Sequence, residues 1–279
     1  MTAGNADQIA LWNEDLGQRW VREQARLDAS IAPFGAAALK AAAAKSGEVV
    51  LDIGCGCGDT SLLLAQAAAP GGRVLGVDVS APMLARARAR AKEAGLDTVR
   101  FEEGDASSAT LGGPFDLLFS RFGVMFFDDP LKAFRHMRSA MKPTGRMAFV
   151  CWRGFAENAW ATTPAAAAIR VLGAPKPGDP FAPGPFAFGD ADRTRAILEG
   201  AGWRAVTLEA FDAPMVMGRD VADAAWWSTQ MGPAGAMLRE AGEHRREEVI
   251  AALVDALKPF AGPAGVALPG AVWIVSATA

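Results

Sequence analysis

Tyrosine is absent from this chain of 279 residues, and histidine occurs only at His136 and His244. Two side-chain types often used as general acids or bases are thus missing or scarce. Cysteine is scarce as well. Cys55, Cys57 and Cys151 cannot build a disulfide framework, and the histidines lie far from the cysteine pair, so no zinc ligand set is expected. A reduced, cytoplasmic setting follows by default. No apolar run approaches the ~20 residues that span a bilayer. The first residues, MTAGNADQIALWNEDLG, carry acids and lack the apolar core of a signal peptide. The net charge of −3 gives no basic surface for nucleic acid or acidic membranes. The basic runs Arg86 to Lys92 and His244 to Arg246 sit among acids and alanines and read as solvated helix faces.

Half of the residues are apolar (51%) and 21% are charged, the usage of an ordinary globular chain. The length suits one α/β domain with additions or two small domains. Residues 5 to 45 read as helix, with Trp12, Leu16, Trp20 and Leu27 at helical spacing. Strand and helix then alternate. Strand Val49–Ile53 leads to helix Thr60–Ala68, and strand Arg73–Asp78 to a helix with Ser80 as N-cap, Pro82 in its first turn and Gly95 at its stop. Strands Val99–Glu102 and Phe115–Ser120 follow, then a helix opened by Asp129-Pro130 and ending at Met141. Lys142 to Gly145 reads as a turn before strand Arg146–Trp152. Five strands joined by short helical crossovers predict a doubly wound, mostly parallel sheet.

Six prolines between Gly154 and Gly189 break the next stretch into a helix around Ala165–Leu172 and a loop, an insertion beside the sheet. Helix Asp190–Ala201, strand Trp203–Phe211, mostly helix from Val221 to Pro259, and strand Val272–Ala277 complete a seven-stranded sheet. The expected division is an N-terminal helical cap (1–47), a ligand-binding core (48–153) and a remainder (154–279) belonging to the same domain.

The most informative stretch is LDIGCGCGDT, Leu51 to Thr60. An apolar strand runs into Gly54, Gly56 and Gly58, and a capping pair, Asp59-Thr60, opens a helix. That arrangement brings a helix N-terminus against a nucleotide-like ligand. Asp78 follows twenty residues after Gly58, where an acid would grip a ribose diol. A dinucleotide fingerprint would need glycine at position 59, where Asp59 stands, and a P-loop would need Gly-Lys-Ser/Thr. An acid beside the turn better suits a cofactor without phosphates.

The ordered set of motifs resembles the class I S-adenosylmethionine-dependent methyltransferases, in particular a bacterial small-molecule subgroup. LDIGCGCGDTS is similar to the family's glycine motif, GVDVSAPML to its second-strand acid motif, and EGDA (Glu103 to Ala106) to its adenine-contacting turn. FDLLFSRFGVMFFDDP and MKPTGRMAFVCW resemble its fourth and fifth strand motifs. The resemblance covers about residues 48 to 152 and implies a Rossmann-like methyltransferase fold with S-adenosyl-L-methionine as cofactor. It implies that Asp52 and the backbone of Gly54 and Cys55 hold the methionine ammonium, with Gly56 leaving space. It places Asp78 and the adjoining Val79 at the ribose, Met83 on the adenine, and Asp105 and Ala106 at the adenine edge. Ser120, Arg121 and Phe122 would end the fourth strand near the transferable methyl group. Each residue also has a plainer structural role available: Asp78 as a helix cap, Asp105 as a turn acid, Arg121 as an ion-pair partner, Met83 as core.

Methyl transfer is an in-line displacement that alignment and exclusion of water largely accelerate. No catalytic residue is assigned. His136 is expected to be structural, His244 solvated, Asp128 and Asp129 helix caps, and Cys151 packing. Trp12, Trp20, Phe122, Phe126 and Trp152 are the candidates for an apolar acceptor pocket, which implies a small organic acceptor. Neither nucleic acid nor membrane is expected as a partner, and a homodimer is compatible with the sequence. The alternatives are a methyltransferase fold whose cofactor serves a pericyclic or cyclising reaction, a non-catalytic subunit, and an NAD-dependent oxidoreductase.

Overall fold

Val49–Ile53 (β1) is a run of apolar and β-branched residues around one acid, and all but the first residue are buried. Such a run suits the middle of a parallel sheet covered on both faces. In the computed structural model, which describes residues 5–176 and 178–279, that is where it lies. Residues 1–4 of the expected N-terminal cap fall outside the described residues. Ala6–Asn13 (α1), Asp15–Arg22 (α2) and Gln24–Ala42 (α3) precede β1. After it come Asp59–Ala68 (α4), Arg73–Asp78 (β2), Ala81–Glu93 (α5), Val99–Glu103 (β3) and Phe115–Arg121 (β4). Pro130–Ser139 (α6), Met141–Trp152 (β5), Ala159–Leu172 (α7), Ala191–Gly200 (α8) and Arg204–Gly218 (β6) follow. Val221–Gln230 (α9), Gly232–Ala241 (α10), Arg246–Leu257 (α11), Ala261–Gly262 (β7) and Gly265–Thr278 (β8) complete the chain.

The strand order is β3-β2-β1-β4-β5-β8-β6, with the two-residue β7 paired antiparallel to β8. The pairs β1–β2, β1–β4, β2–β3 and β4–β5 are parallel, so the doubly wound, mostly parallel sheet of seven main strands is present. The order reverses between β1 and β4. In such sheets that switch point opens the ligand crevice at the carboxyl ends of the strands.

Four local expectations are corrected. Residues 5–45 do not form one helix: Glu14 and Glu23 leave helical geometry and divide the segment in three. Lys142 to Gly145 is not a free turn. Met141 pairs with Phe115 and Arg146 with Leu117, so the four residues bulge within β5. Lys142 Nζ lies 2.8 Å from both carboxylate oxygens of Asp116, which holds the bulge against β4. Both late strands are also longer than expected, because alternation continues through Pro214 in β6 and Pro269 in β8. The fourth correction concerns the N-termini of α4 and α5, described with the site.

Two compact units make up the chain. The first runs to Cys151 and also takes in residues 181–211 and 272–279. Its core is aromatic: Phe34, Phe119, Phe134, Phe149, Phe188 and Trp203 are fully buried. Burial of each such side chain contributes on the order of 1.5–3 kcal/mol. Trp203 Nε1 donates to the Phe134 carbonyl at 3.0 Å, so its one polar atom is satisfied as well. The second unit comprises residues 152–180 and 212–271, and packs α7, α9, α10 and α11 around Trp227, Leu238, Val249, Leu253 and Leu257. Asn158 is fully buried there and uses its whole amide. Its Oδ1 accepts from Trp160 Nε1 and the Ala271 N–H, and its Nδ2 donates to the Arg153 and Gly154 carbonyls.

Candidate active site

The first unit carries the site, and its geometry begins with the turn after β1. Gly54 has φ +64° and Gly56 φ +55°, values that L side chains rarely adopt. Gly54 also crosses Gly123, which follows β4. A Cβ on Gly54 would lie 2.6 Å from the Gly123 Cα, so both crossing points need glycine. A Cβ on Gly56 would meet Met83 Cε at 2.8 Å, which places the methionine directly on the turn. Met83 is buried.

Two carboxylates brace this turn. The Gly56 N–H donates to Asp78 Oδ2 at 2.8 Å, and the Ser80 N–H donates to Asp78 Oδ1 at 2.9 Å. Burial raises the Asp78 pKa above its ordinary value, and these amide donors oppose the shift. Each oxygen keeps a further lone pair, so bracing the loop and accepting from a diol are compatible. Asp52 is fully buried beneath the turn. Its Oδ2 accepts from Thr60 Oγ1 at 2.9 Å and Ser61 Oγ at 2.6 Å, while Oδ1 has no hydrogen-bond partner. Burial lifts its pKa from 3.8 to about 6, against the pull of the two hydroxyls.

Those hydroxyls correct the reading of α4. Thr60 does not cap the helix: the helix starts at Asp59 after Gly58 (φ +82°), and Thr60 turns inward to Asp52. At α5 the expected cap, Ser80, donates instead to the Trp12 carbonyl at 2.7 Å. The Ala81 N–H is accepted by Asn13 Oδ1 from α1 at 2.9 Å, and Asn13 Nδ2 donates to the Val79 carbonyl at 2.7 Å. The first helix is thereby fixed to the segment that follows Asp78.

The remaining candidates fall at neighbouring strand ends. Asp78 is in register with Glu103, and the Gly104 N–H donates to the Asp78 carbonyl at 2.9 Å. Asp105 therefore follows directly beside Asp78. Its Oδ1 accepts from the Ser107 N–H at 2.9 Å, and Ala106 behind it is buried. Ser120 is buried at the end of β4, where its Oγ accepts from the Gly123 N–H at 3.2 Å. The N–H groups of Gly54 and Cys55 both point to the Val77 carbonyl, so a cationic ligand would meet their carbonyl oxygens. The buried thiols of Cys55, Cys57 and Cys151 are pushed up by burial and are unreactive as nucleophiles.

Arg121 does not stand free at the strand end. Its guanidinium donates to Asp59 Oδ2 at 2.9 Å and to Asp28 Oδ1 at 2.8 Å. Arg90 joins the same two acids, at 3.0 and 3.2 Å, and donates to the Cys57 carbonyl at 3.0 Å. The acid that interrupts the glycine pattern, Asp59, thus serves an ion-pair ring. Gly35 leaves room for the arginine, since a Cβ there would sit 3.1 Å from Arg121 Cδ. A cavity of about 40 Å³ separates the turn from the N-terminal helices. Trp20, Gln24, Leu27, Asp28 and Ile31 line one side, and Gly54, Cys55, Gly56, Cys57, Thr60, Arg121 and Phe122 the other.

Among the pocket candidates, Trp12 stacks edge-on with Trp20 and Phe126, at 5.6 and 5.3 Å between centroids. Phe122 meets Phe34 and carries φ +62°, a strained conformation held at the mouth of the turn. Trp152 belongs to the second unit, where it stacks on Trp160 at 4.7 Å. His136 Nε2 is 2.8 Å from the Ala109 carbonyl, and Asp129 caps α6 through the Lys132 N–H, so both are structural as expected. Sequence reasoning does not single out Asn13, Asp28, Thr60, Ser61 or Gly123 as site residues. The one signal for Asp28 is the stripe Gln24, Leu27, Asp28 and Ile31 on one face of α3.

Known proteins share parts of this sequence and its fold. Residues 44–165 match the model of a methyltransferase domain. Nocamycin O-methyltransferase from Saccharothrix syringae is 37% identical over 105 residues, 37% of this chain and 37% of that protein. A demethylmenaquinone methyltransferase from Thermus thermophilus is 39% identical over 104 residues, 37% of this chain and 46% of that protein. The matched stretch spans less than half the length of either relative. Among solved structures, the YcgJ protein from Bacillus subtilis superposes with a TM-score of 0.58 at 19% identity, over 89% of this chain and 97% of that one, which shows a shared fold. Residues 44–165 are similar in sequence to a methyltransferase domain, on a sheet whose fold the solved structure shares.

Proposed function

We propose that this protein is an S-adenosyl-L-methionine-dependent methyltransferase acting on a small organic acceptor. The observation that carries the proposal is Asp52: a fully buried carboxylate behind the glycine turn whose Oδ1 lacks a donor. A buried, unsatisfied carboxylate oxygen is costly unless a cationic donor completes it. An ammonium at the carbonyls of Gly54 and Cys55 would supply that donor. The residues present therefore suit the cofactor. Asp78 would accept from the ribose hydroxyls, Met83 and the Val79 backbone would flank the nucleoside, and Asp105 with Ala106 would hold the adenine edge. When bound, the cofactor supplies an electrophilic methyl group on a sulfonium.

The chain's own contribution is alignment and exclusion of water. Ser120, Arg121 and Phe122 bring the end of β4 to the cavity, and Trp20 and Phe122 give it aromatic walls. Trp12, Trp20 and Phe126 are the acceptor-pocket candidates in the same unit. In this proposal residues 1–47 cap the core formed by residues 48–153, and residues 154–279 complete its sheet. A small apolar acceptor rather than nucleic acid, and a cytoplasmic location, belong to the same proposal. Among the described residues no helix is long and apolar enough to cross a membrane.

Isothermal titration calorimetry tests the cofactor. S-adenosylmethionine and S-adenosylhomocysteine are expected to bind and NAD is not. Binding of NAD with neither sulfur compound would overturn the assignment. Transfer of labelled methyl groups from the cofactor to candidate acceptors, followed by mass spectrometry, identifies the product.

A further inference from the structure

Small-molecule pockets have volumes of roughly 300–1,000 Å³, whereas the cavity over the glycine turn is about 40 Å³. That is room for a few waters and not for the amino-acid end of such a cofactor. What fills the space is one face of α2 and α3, and the strongest link from that face to the turn is Asp28. Its Oδ1 accepts from Arg121 at 2.8 Å, and its Oδ2 accepts from Arg90 at 3.2 Å and from Gln24. All four ring charges are largely shielded from water, their side chains being between 11% and 26% exposed. The two arginines do not depend on Asp28 for their positions. Asp59 holds both, and the Cys57 carbonyl holds Arg90. Only Asp28 sits on the covering helices, so it is the member that departs when they lift.

We infer that Asp28 is the latch of a helical lid, α2 and the start of α3, and that its carboxylate must leave Arg90 and Arg121 before a ligand reaches the turn. The charge arithmetic gives the lid a preference. Closed, two arginines balance two aspartates; with Asp28 withdrawn, two cations face Asp59 alone. The opened ring therefore carries one excess positive charge, apart from Asp52 and Asp78 at the turn itself, and its two free guanidinium edges suit a ligand bearing a carboxylate. Asp28 is then a positioning residue that competes with the ligand for the arginines. The inference rests on the cofactor assignment above for the identity of the ligand, but not for the existence of the lid.

The experiment pairs stopped-flow tryptophan fluorescence with limited proteolysis. For Asp28→Asn, association of S-adenosylhomocysteine is expected to be about tenfold faster than for the parent chain, with affinity equal or tighter, because closed and open forms interconvert more freely. In the absence of ligand, trypsin should cut Asp28→Asn at Arg19, Arg22 and Arg26 several-fold faster. Gln24→Ala, which removes a neutral partner of Asp28 and leaves the ring charges intact, should accelerate both processes by a smaller factor, and it serves if Asp28→Asn does not fold. Unchanged association and unchanged cutting would overturn the latch. Affinity weakened more than about threefold with unaltered proteolysis would also overturn it, since Asp28 would then hold the ligand instead. If the parent chain does not bind S-adenosylhomocysteine, the cofactor assignment fails while the proteolysis arm still decides the lid.

Discussion

Asp52 holds a carboxylate where water cannot reach it, and the consequences run in a definite direction with pH. Burial raises its pKa from 3.8 to about 6. A carboxyl that binds its proton more tightly folded than unfolded lowers stability as pH rises through that window. The penalty is absent below pH ~4 and complete above pH ~6. Asp52→Asn should therefore stabilise the ligand-free protein at pH 8 by roughly 2–3 kcal/mol relative to its effect at pH 4. Urea unfolding at the two pH values measures the difference, and equal effects would mean that Asp52 is solvated. The same variant should weaken S-adenosylhomocysteine binding, and the parent chain should lose affinity as pH falls below about 6. Asp78 differs in having backbone donors on both oxygens. Asp78→Ala removes the brace on the Gly56 N–H together with the candidate ribose contact, and affinity should fall by ~1.5–3 kcal/mol. Unchanged affinity would reduce Asp78 to a loop brace.

At the scale of elements, helix α1 acts on α5 through one side chain. Asn13 accepts from the Ala81 N–H and donates to the Val79 carbonyl, so it caps α5 from outside that helix. Asn13→Ala should cost ~1 kcal/mol in urea unfolding, the usual worth of an N-cap. Within the second unit Asn158 has the larger effect. Its loss strands the Trp160 indole N–H and the Ala271 N–H in a buried setting, and Asn158→Ala should destabilise that unit by roughly 3 kcal/mol. Near-UV circular dichroism during denaturation, compared between the parent chain and the variant, would follow it, and a loss under ~1 kcal/mol would show that water replaces the amide. These contacts separate what was legible in the chain from what was not. The strands β1 to β4, the glycine turn and Asp78 follow local rules of period, turn chemistry and spacing, whereas Asp52 and Asp105 stand out through the family resemblance alone. The cap on α5 and the partners of Arg121 follow no such rule, because Asn13 lies 68 residues from Ala81 and Asp28 lies 93 from Arg121. Ser80 looked like a sufficient cap only because its competing partner, the Trp12 carbonyl, is equally remote.

For the molecule as a whole, a ligand that binds the folded form alone must raise its stability by an amount fixed by concentration and affinity. S-adenosylhomocysteine at one hundred times its dissociation constant should add ~2.7 kcal/mol. For a chain of this size each kcal/mol moves the melting temperature by about 2–4 °C, so a rise of roughly 5–10 °C is expected. The gain has a place as well as a size. Hydrogen exchange should slow most in the peptides that contain Gly54 to Gly58, Asp78 to Met83 and Asp105-Ala106, because those backbone segments meet at the carboxyl ends of adjacent strands. Asp78→Ala, measured at the same ligand concentration, should show a smaller shift in step with its weakened affinity, while NAD should produce none. Protection that appeared without the turn, or an equal thermal shift from NAD, would place the ligand elsewhere. Slowed exchange in α2 and α3 on top of the turn would show that the helices over the cavity close again once the ligand is in.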